Sequence, residues 1–253
     1  MNGILNLDKP LRLTSADAVY RVRSMLAGGW PRREWPKAGH AGSLDPLATG
    51  VLVICVGRAT KLVERIMDQP KVYRAAAALD VTSPSFDLEL PATAVPVAHP
   101  PDAAAVAGVL RSLEGTIMQA PPATSAVKIA GRPAYRLSRA GRAPVLPARP
   151  VRIYWTRLRR YEWPQLEFDV ACGRGTYIRA LIRDIGAQLG VGGCLTGLER
   201  LAVGPFRVEE SWSLERLESA GVAAILPIEA AAGLLSRVVE PSPSWDPPAG
   251  TGS

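Results

Sequence analysis

Twelve residues, GHAGSLDPLATG at 39–50, restrict the fold more than any other stretch of the chain. Gly39, Gly42 and Gly50 permit tight turns or the close approach of another backbone. Pro46 biases the residue before it, Asp45, away from helical dihedrals. The run that follows, VLVICVG at 51–57, reads as a buried strand. A lone carboxylate is thus set between Leu44 and Leu47 at the mouth of a core strand. Two readings stand at this point. A desolvated carboxylate calls for a cation or hydrogen-bond donors, which is the setting of a catalytic group. A turn aspartate that accepts local N–H groups is the other.

The rest of the chain alternates helical and extended patterns without a regular βαβ rhythm, so an α+β fold is expected. Residues 14–27 read as a helix capped by Thr14 or Ser15, with Val19, Val22, Met25 and Leu26 on one face. Residues 28–37, GGWPRREWPK, break it. ATKLVERIMD at 59–68 reads as a helix. KVYRAAAAL at 71–79 is read as a strand because it ends in a turn-rich exit, although alanine favours helix. A helix is expected over 102–114, strands over 150–161 and 166–172, and a helix from Thr176 to about Leu189 after the GRG turn. A short helical tail begins within 207–221, and IEAAAGLLSRVV packs as one further helix.

Charge points to a polyanion. The net charge is +7, and residues 115–161 hold ten basic residues and no acid. Residues 201–253 reverse this, with seven acids against three arginines. A one-sided positive surface of this kind fits nucleic acid. Other classes are disfavoured. There is no GxGxxG, GxxxxGK[ST] or GxSxG. Three cysteines without a CxxC suggest neither a disulfide framework nor a thiolate zinc site. Two histidines exclude a three-histidine metal centre. No stretch reads as a signal peptide or membrane span, so a cytoplasmic protein is expected.

A cationic counterpart for Asp45 is found in CGRGTYIRALIRDIG at 172–186. Arg179 and Arg183 stand one turn apart on the expected helix, and Tyr177 lies where turn and helix meet. A guanidinium holds a carboxylate in bidentate fashion, and an aromatic ring stacks on a base. Tyr73, between Lys71 and Arg74, is a second such ring. Each tyrosine reads equally as core or rim. His40 alone fits a cap, a packing role or a phosphate contact.

These stretches in this order resemble the bacterial TruB family of tRNA pseudouridine-55 synthases. The matching segments are GILNLDKP…TS at 3–15, GHAGSLDPLATGVLVICVGRATK at 39–61, KVYRA at 71–75, Q.PP..SAVKIAGRPAY.L.R.G at 119–141, Arg149 with V.IY after it, CGRGTYIRALIRDIG..LG at 172–190 and LERLAVGPF at 198–206. The resemblance implies a pseudouridine synthase fold: a mixed, mainly antiparallel sheet with flanking helices and a central RNA-binding cleft. It implies isomerisation of one T-loop uridine of tRNA to pseudouridine, with no cofactor and no metal. The family's catalytic aspartate falls on Asp45, its paired arginine on Arg179 and its proton-transfer tyrosine on Tyr177. The aromatic residue that stacks on the target base falls on Tyr73. The histidine that holds flipped-out nucleotides falls on His40, and the leucine that closes the site on Leu198. Lys9 and Lys128 match positions near the RNA cleft. The implied partner is the T arm of tRNA, bound by a monomer, with neither DNA nor membrane involved.

On this basis residues 1–210 form a catalytic domain with an RNA-binding insertion around 80–150. Residues 211–241 form the helical tail and 242–253 are expected to be disordered. A further RNA-binding module common in relatives is expected to be absent or vestigial. Several residues depart from the family pattern. Ala41 replaces a threonine and Arg12 a glycine. The 80–90 segment keeps Ser83, Ser85 and Asp87 but loses two glycines. These departures leave two alternatives open: a synthase with a different RNA target, and a non-catalytic RNA-binding or tRNA-folding protein.

Overall fold

A computed structural model describes residues 1–125, 128–129, 132–133, 144, 146–238 and 240–244. Of the end expected to be disordered, 242–253, residues 245–253 lie outside the described residues, as do parts of the expected 80–150 insertion. In chain order the elements are β1 (Gly3–Lys9), α1 (Ser15–Ala27), β2 (Ala38–His40), β3 (Ala48–Val56), α2 (Val63–Met67), β4 (Lys71–Ala78), β5 (Val81–Thr82), β6 (Thr93–Ala94), α3 (Ala103–Ser112) and β7 (Gly115–Gln119). There follow β8 (Lys128–Ile129), β9 (Arg132–Pro133), β10 (Arg149–Glu162), β11 (Gln165–Cys172), α4 (Ile178–Leu189), β12 (Cys194–Val203), β13 (Phe206–Arg207), α5 (Leu214–Ala220), β14 (Leu226–Pro227) and α6 (Ile228–Leu234). The chain divides into two compact units, residues 1–73 with 198–253, and residues 74–197.

In the first unit β3 is the central strand. It pairs antiparallel with β1, from Gly3↔Val56 to Lys9↔Gly50, and β1 pairs antiparallel with β14. On its other side β3 runs parallel to β12, with Leu198↔Ala48 and Arg200↔Gly50 in register. Every residue from Gly50 to Val56 is buried, which explains why this strand reads as an unbroken apolar run rather than an alternating one. One face carries Ile4, Val51, Val53, Cys55, Ile66 and Phe206. Ala231 and Leu235, from α6 and just beyond it, close that core, so the C-terminal segment belongs to the first unit rather than trailing from it. The helix expected at 59–68 is shorter: a 3-10 segment spans Gly57–Leu62 and only Val63–Met67 is α-helical.

Thr14 caps α1 by accepting from the Asp17 N–H at 3.1 Å, and Gly28 ends the helix at φ 53. The cap contributes about 1 kcal/mol. Ala18, Val19, Val22 and Leu26 make the buried face, close to the stripe expected from the sequence.

The second unit is built on the order β4-β11-β10-β7, with β10 antiparallel to both β11 and β7. Helix α3 packs with β10, and α4 packs with α3. The alanine run of β4 is extended because Ala75, Ala77 and Ala78 are all buried in the sheet; tertiary burial overrides helix propensity here. Helix α4 approaches the following turn so closely that a Cβ on Gly186 would stand 2.1 Å from the Gly192 carbonyl oxygen.

Candidate active site

In the first unit, the Asp45 loop joins β2 to β3 and is held from three directions. From the start of α1, the Ser15 hydroxyl donates to the Leu44 carbonyl at 3.0 Å and accepts from the Leu44 N–H at 2.9 Å. From the turn before α1, the Arg12 N–H donates to the Pro46 carbonyl at 2.7 Å. From β12, the Arg200 guanidinium donates to the carbonyl oxygens of Val51 at 2.7 Å, Gly42 at 3.0 Å and Ser43 at 3.3 Å. Arg200 is 1% exposed. A buried guanidinium must have its donors satisfied, and here loop carbonyls satisfy them. The loop itself closes with a turn in which the Ala48 N–H donates to the Asp45 carbonyl at 3.0 Å. Pro46, with its fixed φ, occupies the second position of that turn.

Arg12 holds φ 63, a left-handed conformation that a glycine would adopt without strain.

Lys9 has no exposed surface, and its ammonium donates to the Pro10 and Leu13 carbonyls at 2.9 and 2.8 Å. It sits inside the first unit. Burial lowers its pKa to about 8, opposed by the negative charge of Asp45 and reinforced by Arg200. His40 is half-buried. Burial and the nearby Arg200 charge lower its pKa, which keeps the imidazole neutral near pH 7. Leu198 pairs with Ala48, three residues beyond Asp45. Tyr73, on β4, is buried at 9% exposure. Lys9, His40, Asp45, Tyr73 and Leu198 thus all belong to the first unit.

Tyr177, Arg179 and Lys128 belong to the second. Tyr177 is the N-cap residue of α4. Its backbone is clamped by Gln119 at the end of β7: the side-chain oxygen accepts the Tyr177 N–H at 2.8 Å, and the amide donates to the Tyr177 carbonyl at 3.2 Å. The Arg149 guanidinium lies 5.5 Å from the Tyr177 ring centroid. Arg179 is 4% exposed. It donates to the Thr124 hydroxyl at 2.6 Å and the Ser85 carbonyl at 3.2 Å, and its Nε lies 3.5 Å from Asp87. Arg183 shares that face, as its spacing predicts, and lies 5.4 Å from the Phe86 ring. Lys128 lies on β8.

Reasoning from sequence overlooked three supports. Arg200 stood within a matched segment but was given no role. Asp87 was noted as retained without its ion pair to Arg179. Gln119 opens a matched segment and was likewise given no role. Thiol chemistry is disfavoured, since all three cysteines are buried and burial pushes Cys55 up to about 12. Among the described residues no three His, Cys, Asp or Glu side chains gather as a metal site. Among them, too, no helix is long and apolar enough to cross a membrane.

Comparison with known proteins shows the family. Residues 32–178 match the profile of the TruB family pseudouridylate synthase N-terminal domain, and residues 179–244 that of the tRNA pseudouridylate synthase B C-terminal domain. The tRNA pseudouridine synthase B of Syntrophotalea carbinolica is 42% identical over 218 residues, covering 86% of this chain and 69% of that protein. Among solved structures, a chain of a Cbf5–Nop10–Gar1 complex superposes with a TM-score of 0.70 at 28% identity. A chain of an H/ACA ribonucleoprotein bound to a substrate RNA containing 2′-deoxyuridine superposes at 0.67 and 26%. Each superposition covers 92% of this chain, but only 62% and 61% of those longer chains. The chain belongs to the TruB family of pseudouridylate synthases. It is accordingly an isomerase whose macromolecular partner is RNA.

Proposed function

We propose that the protein converts uridine-55 in the T loop of tRNA to pseudouridine. The observation that carries this reading is the clamped loop: three separate segments hold the backbone on both sides of Asp45. Such fixation suits a carboxylate that must meet one sugar carbon, because misplacement by about 1 Å can cost a hundredfold in rate. The relatives named tRNA pseudouridine synthase B supply the RNA class.

The target uridine leaves the stacked loop, and Tyr73 stacks on its base, recovering about 1–3 kcal/mol. The N1–C1′ bond breaks, the bound uracil turns, and C5 bonds to C1′. The C5 proton is then lost and N1 gains one. Asp45 acts as nucleophile at C1′ or as base at C2′; both roles need the ionised form. Arg179 favours that form, Tyr177 serves the proton transfer from C5, and His40 and Leu198 hold the flipped nucleotide. Lys128 contacts RNA, while Lys9 supports the Asp45 loop from within. The T arm of tRNA is the docking element, the protein acts as a monomer in the cytoplasm, and no cofactor takes part.

The test is tritium release from tRNA labelled at uracil C5, with pseudouridine mapped by chemical derivatisation and primer extension. Wild type is expected to release tritium from the T-loop uridine, and Asp45→Asn to bind tRNA without release. Release that maps elsewhere rejects the target. Tight binding of tRNA without release by the wild type leaves a non-catalytic RNA-binding protein.

A further inference from the structure

Resting on the reading above that the substrate is RNA, we infer that α1 and the segment after it carry a second RNA-binding surface, which stacks an unpaired base and grips its flanking phosphates. The surface lies wholly in the first unit and uses residues given no role above. Trp35 and Tyr20 meet with ring centroids 5.5 Å apart at an interplanar angle of 53°. The Arg32 guanidinium lies over both rings, 5.3 Å from Tyr20 and 5.9 Å from Trp35, and Arg23 lies 5.7 Å from Trp35. Two further bonds fix the arrangement: the Trp35 indole N–H donates to the Trp30 carbonyl at 3.0 Å, and Arg23 to the Pro36 carbonyl at 2.9 Å.

A cluster of aromatic and arginine groups so organised would be ordinary core if it were buried. It is not. Tyr20 is 47% and Trp30 56% exposed, and the Arg33 side chain is 84% exposed. Trp30 presents its ring to solvent on a short turn between Gly29 and Pro31. Large exposed aromatics beside arginines mark a contact surface rather than a solvated one. The charge states which partner. Residues 18–40 hold five basic residues and a single acid, Glu34, which pairs weakly with Arg33 at 3.4 Å. Guanidinium planes and indole rings stack on bases regardless of sequence, and the same cations neutralise phosphates.

The position is functional as well. Ser15, at the start of α1, bonds to Leu44 beside Asp45, and Lys37 precedes His40 by three residues. With a rise of about 1.5 Å per residue, α1 leads from the Asp45 loop to Trp30 over roughly 20 Å. RNA engaged at Asp45 is therefore within reach of the surface through nucleotides other than the target.

The test measures Kd, KM and kcat for full-length tRNA with Trp30→Ala, Trp30→Phe and Arg33→Ala, beside wild type. Both positions are exposed and outside the clamped loop, so kcat at saturation should stay unchanged. Trp30→Ala should weaken binding about tenfold, and Trp30→Phe should recover most of it, a rescue that stacking demands. Arg33→Ala should lower the slope of log K against log salt by about one. Variants that match wild type in Kd, KM and salt slope would overturn the inference while leaving the catalytic reading intact. Wild type that neither binds nor converts tRNA would instead sink the catalytic reading. Loss of self-association on Trp30→Ala, with RNA binding unchanged, would assign the surface to a second copy of the chain and also overturn it.

Discussion

The carbonyl oxygen of Arg200 stands 2.3 Å from the point that a Cβ on Gly50 would occupy, and Gly50 itself lies at φ 93. Both features exclude a side chain at the place where β3 leaves the Asp45 loop and meets β12. Gly50→Ala must displace β12 or β3, and β12 brings the arginine that holds the loop. The expected result is a loss of at least about 2 kcal/mol in unfolding free energy, together with a fall in kcat larger than any change in KM. Urea melts and single-turnover pseudouridine formation check it; a variant with wild-type stability and rate would refute the packing argument.

Asp87 is the anionic neighbour of a nearly buried Arg179, at 3.5 Å. Weakening one charged contact of a buried guanidinium costs about 1–3 kcal/mol. Asp87→Asn should therefore lower stability by an amount in that range, and turnover should fall because the Arg179 side chain keeps Thr124 and Ser85 but loses one of its holds. Calorimetry and tritium release on the same preparation separate the two effects.

Lys9 gives an unusual pH dependence. Its folded pKa is lowered from 10.5 to about 8. Between those values the unfolded chain binds more protons at this site than the folded one does, so its contribution to stability rises with pH across the window. Below pH 8 the lysine is charged in both states and the penalty for burying it is fully present. The difference in unfolding free energy between wild type and Lys9→Met should shift in favour of wild type as pH is raised from 7.5 to 10. Denaturant titrations at four pH values suffice, and a pH-independent difference would show that Lys9 is not titrating there.

Arg12 occupies a left-handed backbone position, which costs a non-glycine residue about 1–2 kcal/mol. Part of this returns as glycine's greater freedom in the unfolded chain, about 0.4–1 kcal/mol. Arg12→Gly should be more stable than Arg12→Ala, with a net gain of up to about 1 kcal/mol over wild type. A thermal shift series on the three proteins reports the order directly.

Much of the architecture could be read because local and tertiary demands agreed. The β3 run, the Thr14 cap and the stripe of α1 all carry signals that need no distant partner. The same holds for α4, where the sequence places Arg179 and Arg183 on one face and the structure finds both over residues 85–87. The 59–68 helix was too long because helical spacing alone does not show where a 3-10 segment takes over. The supports of the loop were illegible for a different reason. Arg200 lies 149 residues from the carbonyl of Val51, and an isolated arginine in an apolar strand offers no sign of which carbonyls it will meet. Likewise, nothing in MQAPP distinguishes Gln119 as the clamp on Tyr177. Tyr73 and Leu198 could be placed in elements, whereas their relation to RNA is a matter of function.

The clamp on the Asp45 loop has a bearing on how the molecule comes into being. A ribosome releases the aspartate early and the arginine that secures it late, after the whole second unit has been made. During that interval the loop has Ser15 and Arg12 but lacks its third hold, and β3 lacks its parallel neighbour. Long-range closure of this sort is slow, and an incomplete strand edge is open to mispairing. A nascent chain, or a fragment that stops short of β12, would carry Asp45 on a loop that lacks its arginine hold. The loop thus gains its last hold only when synthesis has passed β12.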